Sequence, residues 1–256
     1  MNQYISQATH LSDEERRING AHYTSAENIL KVINPLFLDD LNSEFESIKN
    51  NLDGLHSFHE NISNLKFLDP ACGCGNFLIV TYISLLELEK KIINQLEKYN
   101  VAAKNKVNAE QFYGIEIDEQ AVNLAFSNFE KLGIGRGAPK ITTANALNIE
   151  WETVISKDEL NYIIGNPPFI GAYNKTEEQK QDMIRVFGKK TKCGLLDYCC
   201  AWFKKAAEFM EGTKIETAFV ATNSIVQGQQ PSVLWGSLSE HGAEINFAHR
   251  SFKWEA

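Results

Sequence analysis

A chain of 256 residues, 43% hydrophobic and free of low-complexity tracts, is long enough for one large domain or for a domain with a helical appendage. Its net charge of −8 argues against strong nucleic-acid binding by this chain alone, because non-specific affinity comes from Lys and Arg neutralising phosphates. The polar start MNQYISQATHLSDEERR is no signal peptide, the run FLIVTYISLL falls short of the roughly 20 residues of a membrane span, and five cysteines with six scattered histidines fit reduced thiols better than disulfides or zinc, so a cytoplasmic protein without metal or membrane partner is expected.

The first element follows GAHYTSAENILKVINPLF, where Thr24 and Glu27 have the spacing of a capping box and Ile29, Leu30, Ile33 and Phe37 recur at helical intervals. Residues 41–65 read as further helix and turn. KFLDPACGCGNFL then reads as strand, tight glycine loop and helix, the helix running from about Asn76 to Tyr99 with Phe77, Leu78, Ile83, Leu85, Leu86, Ile92 and Leu96 on its inner face. QFYGIEID is a second strand, followed by a helix that Asp118 caps and Gly133 closes. KITTANALNI and NYIIGNPPF supply two more strands. The helices TEEQKQDMIRVFG and LLDYCCAWFKKAAEFM and a strand in ETAFVATNSI follow. Strands alternating with helices predict an α/β fold: a mainly parallel sheet with helices on both faces, over residues 66–256, preceded by a helical segment over 1–65. In INFAHRSFKWEA, Ile245 and Phe247 read as a strand with no partner after it, and the chain is expected to stop in mid-domain.

In an open α/β sheet, ligands bind outside the carboxyl ends of the strands. Polar residues gather there: Asp69 with Gly73 and Gly75 after the first strand, Glu116 after the second, Asn145 near the third and Asn166 after the fourth. The loop DPACGCGN lets backbone approach a ligand closely, yet it lacks the GxGxxG spacing of dinucleotide sites and the GK[ST] of phosphate loops. Glu116 also lies far beyond the roughly 20 residues expected for a dinucleotide ribose acceptor. The expected cofactor therefore needs close-packed backbone and a ribose acceptor, without phosphate recognition.

GAHYTS, FLDPACGCGNFL, GIEID, IIGNPPF, GLLDYCCAWF, FVATNSIVQGQQ and FAHRSFKW fall in the order of the motifs of the N6-adenine DNA methyltransferases of restriction-modification systems. The chain resembles that family over nearly its whole length, with most likeness to the large single-chain enzymes that join methyltransferase and target-recognition domains. The resemblance implies a Rossmann-like methyltransferase fold, S-adenosylmethionine as cofactor and double-stranded DNA as partner, with the target-recognition domain absent from this chain. It also implies roles. Tyr23 and Thr24 lie beside the methionine carboxylate, and Asp69 with the loop Ala71, Cys72, Gly73, Cys74 and Gly75 holds the ammonium. Glu116 accepts the ribose hydroxyls, Ile117 covers the adenine, and Asn145 with Ala146 meets its edge. Asn145 stands where the family usually has Asp, and Cys74 where it usually has Ser.

The chemistry of NPPF can be reasoned without the family. An exocyclic amine of adenine is a poor nucleophile because its lone pair is delocalised into the ring. Acceptors on its N–H groups stabilise the positive charge that develops on methyl transfer. Asn166 offers a side-chain carbonyl and Pro167 a backbone carbonyl, and Pro168 stiffens the pair. Phe169 offers a face for a flipped base, with Phe252 as the candidate opposite wall. Other readings stand beside these. NPPF alone is also a turn former, Phe252 is equally a packing residue, Cys199 and Cys200 read as core, and Asp197 either lines the cofactor site or opens a solvated helix. Lys189, Lys190 and Lys192 read as a solvated loop before a phosphate contact. A methyltransferase of a protein glutamine amide or an RNA base, or a non-catalytic S-adenosylmethionine-binding module, are the rival functions.

Overall fold

The computed structural model describes residues 24–132 and 137–251. Five strands, β1 (Phe67–Asp69), β2 (Phe112–Glu116), β3 (Lys140–Thr143), β4 (Tyr162–Gly165) and β5 (Glu216–Phe219), form one sheet in the order β3-β2-β1-β4-β5. All four pairings are parallel, with Phe67 opposite Phe112 and Tyr162 across the centre. Eight α-helices accompany them among the described residues: α1 (Ala26–Ile33), α2 (Asp39–Ile48), α3 (Leu52–Asn64), α4 (Asn76–Lys98), α5 (Glu119–Lys131), α6 (Glu177–Phe187), α7 (Cys200–Met210) and α8 (Gln230–Ser239). No helix among these residues is long and apolar enough to cross a membrane.

Alternation along the strands sets the two cores. Phe67 and Phe112 point to one face, where their rings stack at 5.3 Å and Phe37 meets Phe67 at 5.2 Å. Here Ile29, Ile33, Leu55 and Phe58 of the first helices share a core with Leu78, Tyr82 and Leu85 of α4. Leu68, Tyr113 and Ile163 point to the other face and pack with Met183, Leu196, Cys200, Trp202 and Leu234. The five cysteines are buried and free, Cys199 and Cys200 within this second core.

Several details differ from the sequence expectation. Ser25, rather than Thr24, caps α1, its hydroxyl accepting from Asn28 N at 3.4 Å, because Thr24 is engaged elsewhere. Pro35 has no N–H to give, and a π-helical turn over Asn34–Leu38 joins α1 to α2. The helix expected to close at Gly133 ends at Lys131, and Gly133 lies outside the described residues. Residues 243–251 form no strand. Side chains fasten them: His249 Nε2 meets Lys31 O at 2.7 Å, Ser251 Oγ donates to Asn223 Oδ1 at 2.7 Å, and Phe247 packs on the first core.

Candidate active site

The strand order lines up the exits as Asn145, Glu116, Asp69 and Asn166, from β3 across to β4. Over them lies a crevice of about 870 Å³, walled by Ala71, Gly73 and Cys74, by Glu116 and Ile117, by Asn145 and Ala146, and by Asn166, Pro167, Pro168 and Phe169. Residues read from four separate segments thus meet at one cavity.

The glycine loop is built for close approach. Gly73 and Gly75 have φ of 52° and 86°, a left-handed conformation that favours glycine, and a Cβ on Gly75 would press on Ala125 of α5 at 3.3 Å. Cys72 N donates to Ile115 O at 3.1 Å and Gly73 N to Glu116 Oε2 at 2.8 Å. Glu116 Oε1 accepts from Ile117 N at 2.8 Å and Asp118 N at 3.0 Å. Three backbone N–H groups therefore hold the carboxylate in one orientation at the centre of the crevice. Ile117 next to it is 65% exposed, an aliphatic side chain on a rim with an open side.

Three of the expected contact residues sit back from the crevice. Cys72 does not line the crevice: its Sγ lies beneath Gly114, where a Cβ would come within 2.7 Å. Burial pushes its thiol well up, so it remains a neutral packing group. Asp69 likewise lies under the loop rather than on the wall, 1% exposed, with Oδ1 accepting from Ala71 N at 3.0 Å. Gly165 crosses so close that a Cβ there would stand 2.5 Å from Asp69 Oδ1. Gly75, too, supports the loop from behind.

At the β4 exit, Val220 N donates to Gly165 O at 3.0 Å and fixes the strand end from which Asn166 leaves. Asn166 Nδ2 donates to Thr24 Oγ1 at 3.2 Å. Thr24 is thus buried against the Asn166 amide and is not on the crevice wall. Among the described residues, Asn166 Oδ1 and Asp69 Oδ2 are buried oxygens with no hydrogen-bond partner. Asn34 Oδ1, Thr81 Oγ1 and Tyr82 OH share that state away from the crevice, so it is the place of Asn166 on the crevice wall that makes its Oδ1 a candidate ligand acceptor. Phe169 is half-buried and packs against both cores, which fixes its ring. Pro168 is exposed and Pro167 buried.

Three wall residues were not anticipated. Asp182 of α6 is 2% exposed and accepts from Asn145 Nδ2 at 3.0 Å, from Tyr198 OH at 2.7 Å and from Arg185 Nη1 at 2.9 Å. Burial first, then Asp182, pushes the Tyr198 hydroxyl up, so it stays protonated and donates. Trp202 Nε1 donates to Pro70 O at 2.9 Å, tying α7 to the loop. The available signal for Asp182 was an acid beside Met183 and Phe187 on the inner face of an amphipathic helix.

Asp197 neither lines the crevice nor opens a solvated helix. It is buried, and its oxygens accept from Ala172 N at 2.9 Å, Gln230 Nε2 at 3.0 Å and Thr222 Oγ1 at 3.0 Å. Lys189, Lys190 and Lys192 lie exposed in the turn after α6. Tyr23 and Phe252 lie outside the described residues. Among those residues no cluster of three or more His, Cys, Asp or Glu side chains is placed to hold a metal.

A parallel sheet with a glycine loop after the first strand, an acid after the second and Asn-Pro-Pro-Phe after the fourth is the fold of S-adenosylmethionine-dependent methyltransferases. The family model "MmeI, DNA-methyltransferase domain" matches residues 45–129 and 131–256, and the chain belongs to that family. It is 40% identical to DNA methyltransferase A of Bacillus subtilis (strain 168) over 266 residues, covering 95% of this chain and 30% of that protein. The structure of the Type IIL restriction-modification enzyme MmeI in complex with DNA is also 40% identical and superposes with a TM-score of 0.86, covering 99% of this chain and 37% of that one. A nuclease-deletion mutant of the Type ISP enzyme LlaGI with a DNA substrate mimic shares the fold at a TM-score of 0.56 and 17% identity. The chain thus spans roughly a third of the length of these two larger proteins, DNA methyltransferase A and MmeI.

Proposed function

We propose that this chain carries the methyl-transfer centre of an adenine-specific DNA methyltransferase of a restriction-modification system, with S-adenosylmethionine as donor and N6 of a flipped-out adenine in double-stranded DNA as acceptor. The observation that carries the reading is Asn166 Oδ1, a buried oxygen without a hydrogen-bond partner on the crevice wall at the β4 exit, which suits an N–H of an amine. Kinship with MmeI, solved with DNA, supports DNA as the substrate.

S-adenosylmethionine, when bound, supplies a methyl group on a sulfonium that departs as a neutral thioether. The chain's own residues do the rest. Glu116, oriented by three N–H groups, retains a lone pair on Oε2 for a ribose hydroxyl. Ile117 and Ala146 cover the adenine of the cofactor, Asn145 meets its edge, and the backbone at Ala71 and Gly73 borders the methionine. Because Thr24 takes Nδ2 of Asn166, Oδ1 is the free end of that amide and accepts from the substrate amine. The Pro167 carbonyl takes the second N–H. Neither acceptor is basic enough to remove the proton, which the cationic nitrogen releases to water after the methyl group has arrived, so their part is to hold the nitrogen in line and to stabilise its developing charge. Phe169, fixed by packing on both cores, stacks on the flipped base.

The test is transfer of labelled methyl from S-adenosylmethionine to plasmid DNA by the protein, followed by nucleoside analysis. Label in N6-methyladenine is expected. Label in N4-methylcytosine, or none in DNA while RNA or protein is labelled, would overturn the reading.

A further inference from the structure

We propose that Asp182 is a positioning residue for cofactor recognition: it locks the Asn145 amide so that Oδ1 faces the crevice and accepts the exocyclic amine of the cofactor's adenine. The inference rests on the cofactor reading above. It concerns how the adenine is told from other purines.

Strand order carries the first step. Asn166 stands on one side of the crevice and Asn145 on the other, with Glu116 between them. A ribose held at Glu116 with the methyl donor toward Asn166 leaves the base on the Asn145 side. The edge of adenine that distinguishes it there carries an NH₂, which demands an acceptor. Asn is ambiguous in this position, because its amide ends in an acceptor on one side and two donors on the other. Flipped, it would present N–H to N–H and reject the ligand.

The surroundings of Asn145 remove the ambiguity. Asp182, paired with Arg185, offers only acceptors, and it takes Nδ2 at 3.0 Å. Leu147 N is a donor, and it takes Oδ1 at 2.9 Å. Both partners dictate one orientation, and Oδ1 keeps a second lone pair for the ligand. Tyr198 OH donates to the same Asp182 oxygen at 2.7 Å and holds the carboxylate in place.

Position alone does not explain an acid here. Asp182 neighbours Met183 on the inner side of α6 and is 2% exposed, where an aliphatic residue would extend the apolar face and a carboxylate is costly unless paired. Asp182 also belongs to the helix after β4, at the far side of the sheet centre from β3. Its bond to Asn145, with that of Arg185 to Asn148, spans the crevice to the β3 exit loop.

The experiment compares binding of S-adenosylhomocysteine with its deaminated analogue S-inosylhomocysteine by calorimetry. The protein should prefer the amino form by at least about tenfold, since a site built to bond an NH₂ rejects an analogue lacking it. Asp182→Asn should lower that ratio several-fold, because the new amide can itself turn to present N–H and only Leu147 N then opposes the flip of Asn145. The exchange Asn145→Asp with Asp182→Asn restores one acceptor and one donor and should restore the preference. A general loosening of the fold would weaken both ligands alike and leave the ratio unchanged. An unchanged ratio in Asp182→Asn, or an exchange variant that folds by thermal melting yet shows no preference, would overturn the inference. Equal binding of both ligands by the unaltered protein would overturn this inference alone, whereas binding of neither would overturn the cofactor reading and this inference with it.

Discussion

Asp69 is the residue whose surroundings conflict most with its chemistry. Burial raises its carboxyl from 3.8 to about 8, against the Ala71 N–H bond, which lowers it, and with a further rise from the Glu116 charge. The unliganded folded protein therefore keeps a proton on Asp69 over a range in which the unfolded chain has released it. Stability from this group is fully present below the unfolded value near 3.8 and is lost as pH rises through about 8. Asp69→Asn keeps the shape and removes the titration. The melting temperature of the variant should gain on that of the unaltered protein as pH is raised across this window, and a constant difference would contradict the assignment. Gly165 belongs to the same arrangement, since any side chain there would collide with Asp69 Oδ1.

Among the elements, the loop after Asn-Pro-Pro-Phe depends on a clamp from outside it. Asp197 ties Ala172 of that loop to Thr222 beyond β5 and to Gln230 of α8. Asp197→Ala leaves those donors without an acceptor, and an unpaired buried group costs about 1–3 kcal/mol. Chemical denaturation should show a loss of at least about 2 kcal/mol, with faster amide exchange at Ala172, and neither change would refute the clamp. The elements themselves were legible in the sequence because short apolar runs bounded by turn residues mark the central strands, which are buried on both faces, and burial recurs along the helices. Periodicity could not name the cap of α1, since Thr24 and Ser25 are both capping residues and only the distant Asn166 decides between them. It also read Ile245 and Phe247 as a strand. Pairing is not a local property, and Ile245 is 64% exposed.

For the molecule as a whole, function follows from how a parallel sheet brings its exits to one edge. Asp69, Glu116, Asn145 and Asn166 were visible in the sequence because each ends or follows a strand, and topology sets Glu116, Asn145 and Asn166 around one crevice with Asp69 beneath its loop. Their supports were not visible. Thr24 lies 142 residues from Asn166, and Asp182 lies 37 from Asn145, so no local pattern links either pair. The central claim is that Asn166 acts on the substrate amine rather than holding the cofactor or the fold. Asn166→Ala tests it most directly, with methyl transfer to DNA and S-adenosylhomocysteine affinity measured on the same preparation. Transfer should fall by at least about a hundredfold, the scale for removing one preorganised hydrogen-bonding group at a reacting centre, while affinity stays within about twofold. Equal loss of both, or transfer that persists, would contradict the account.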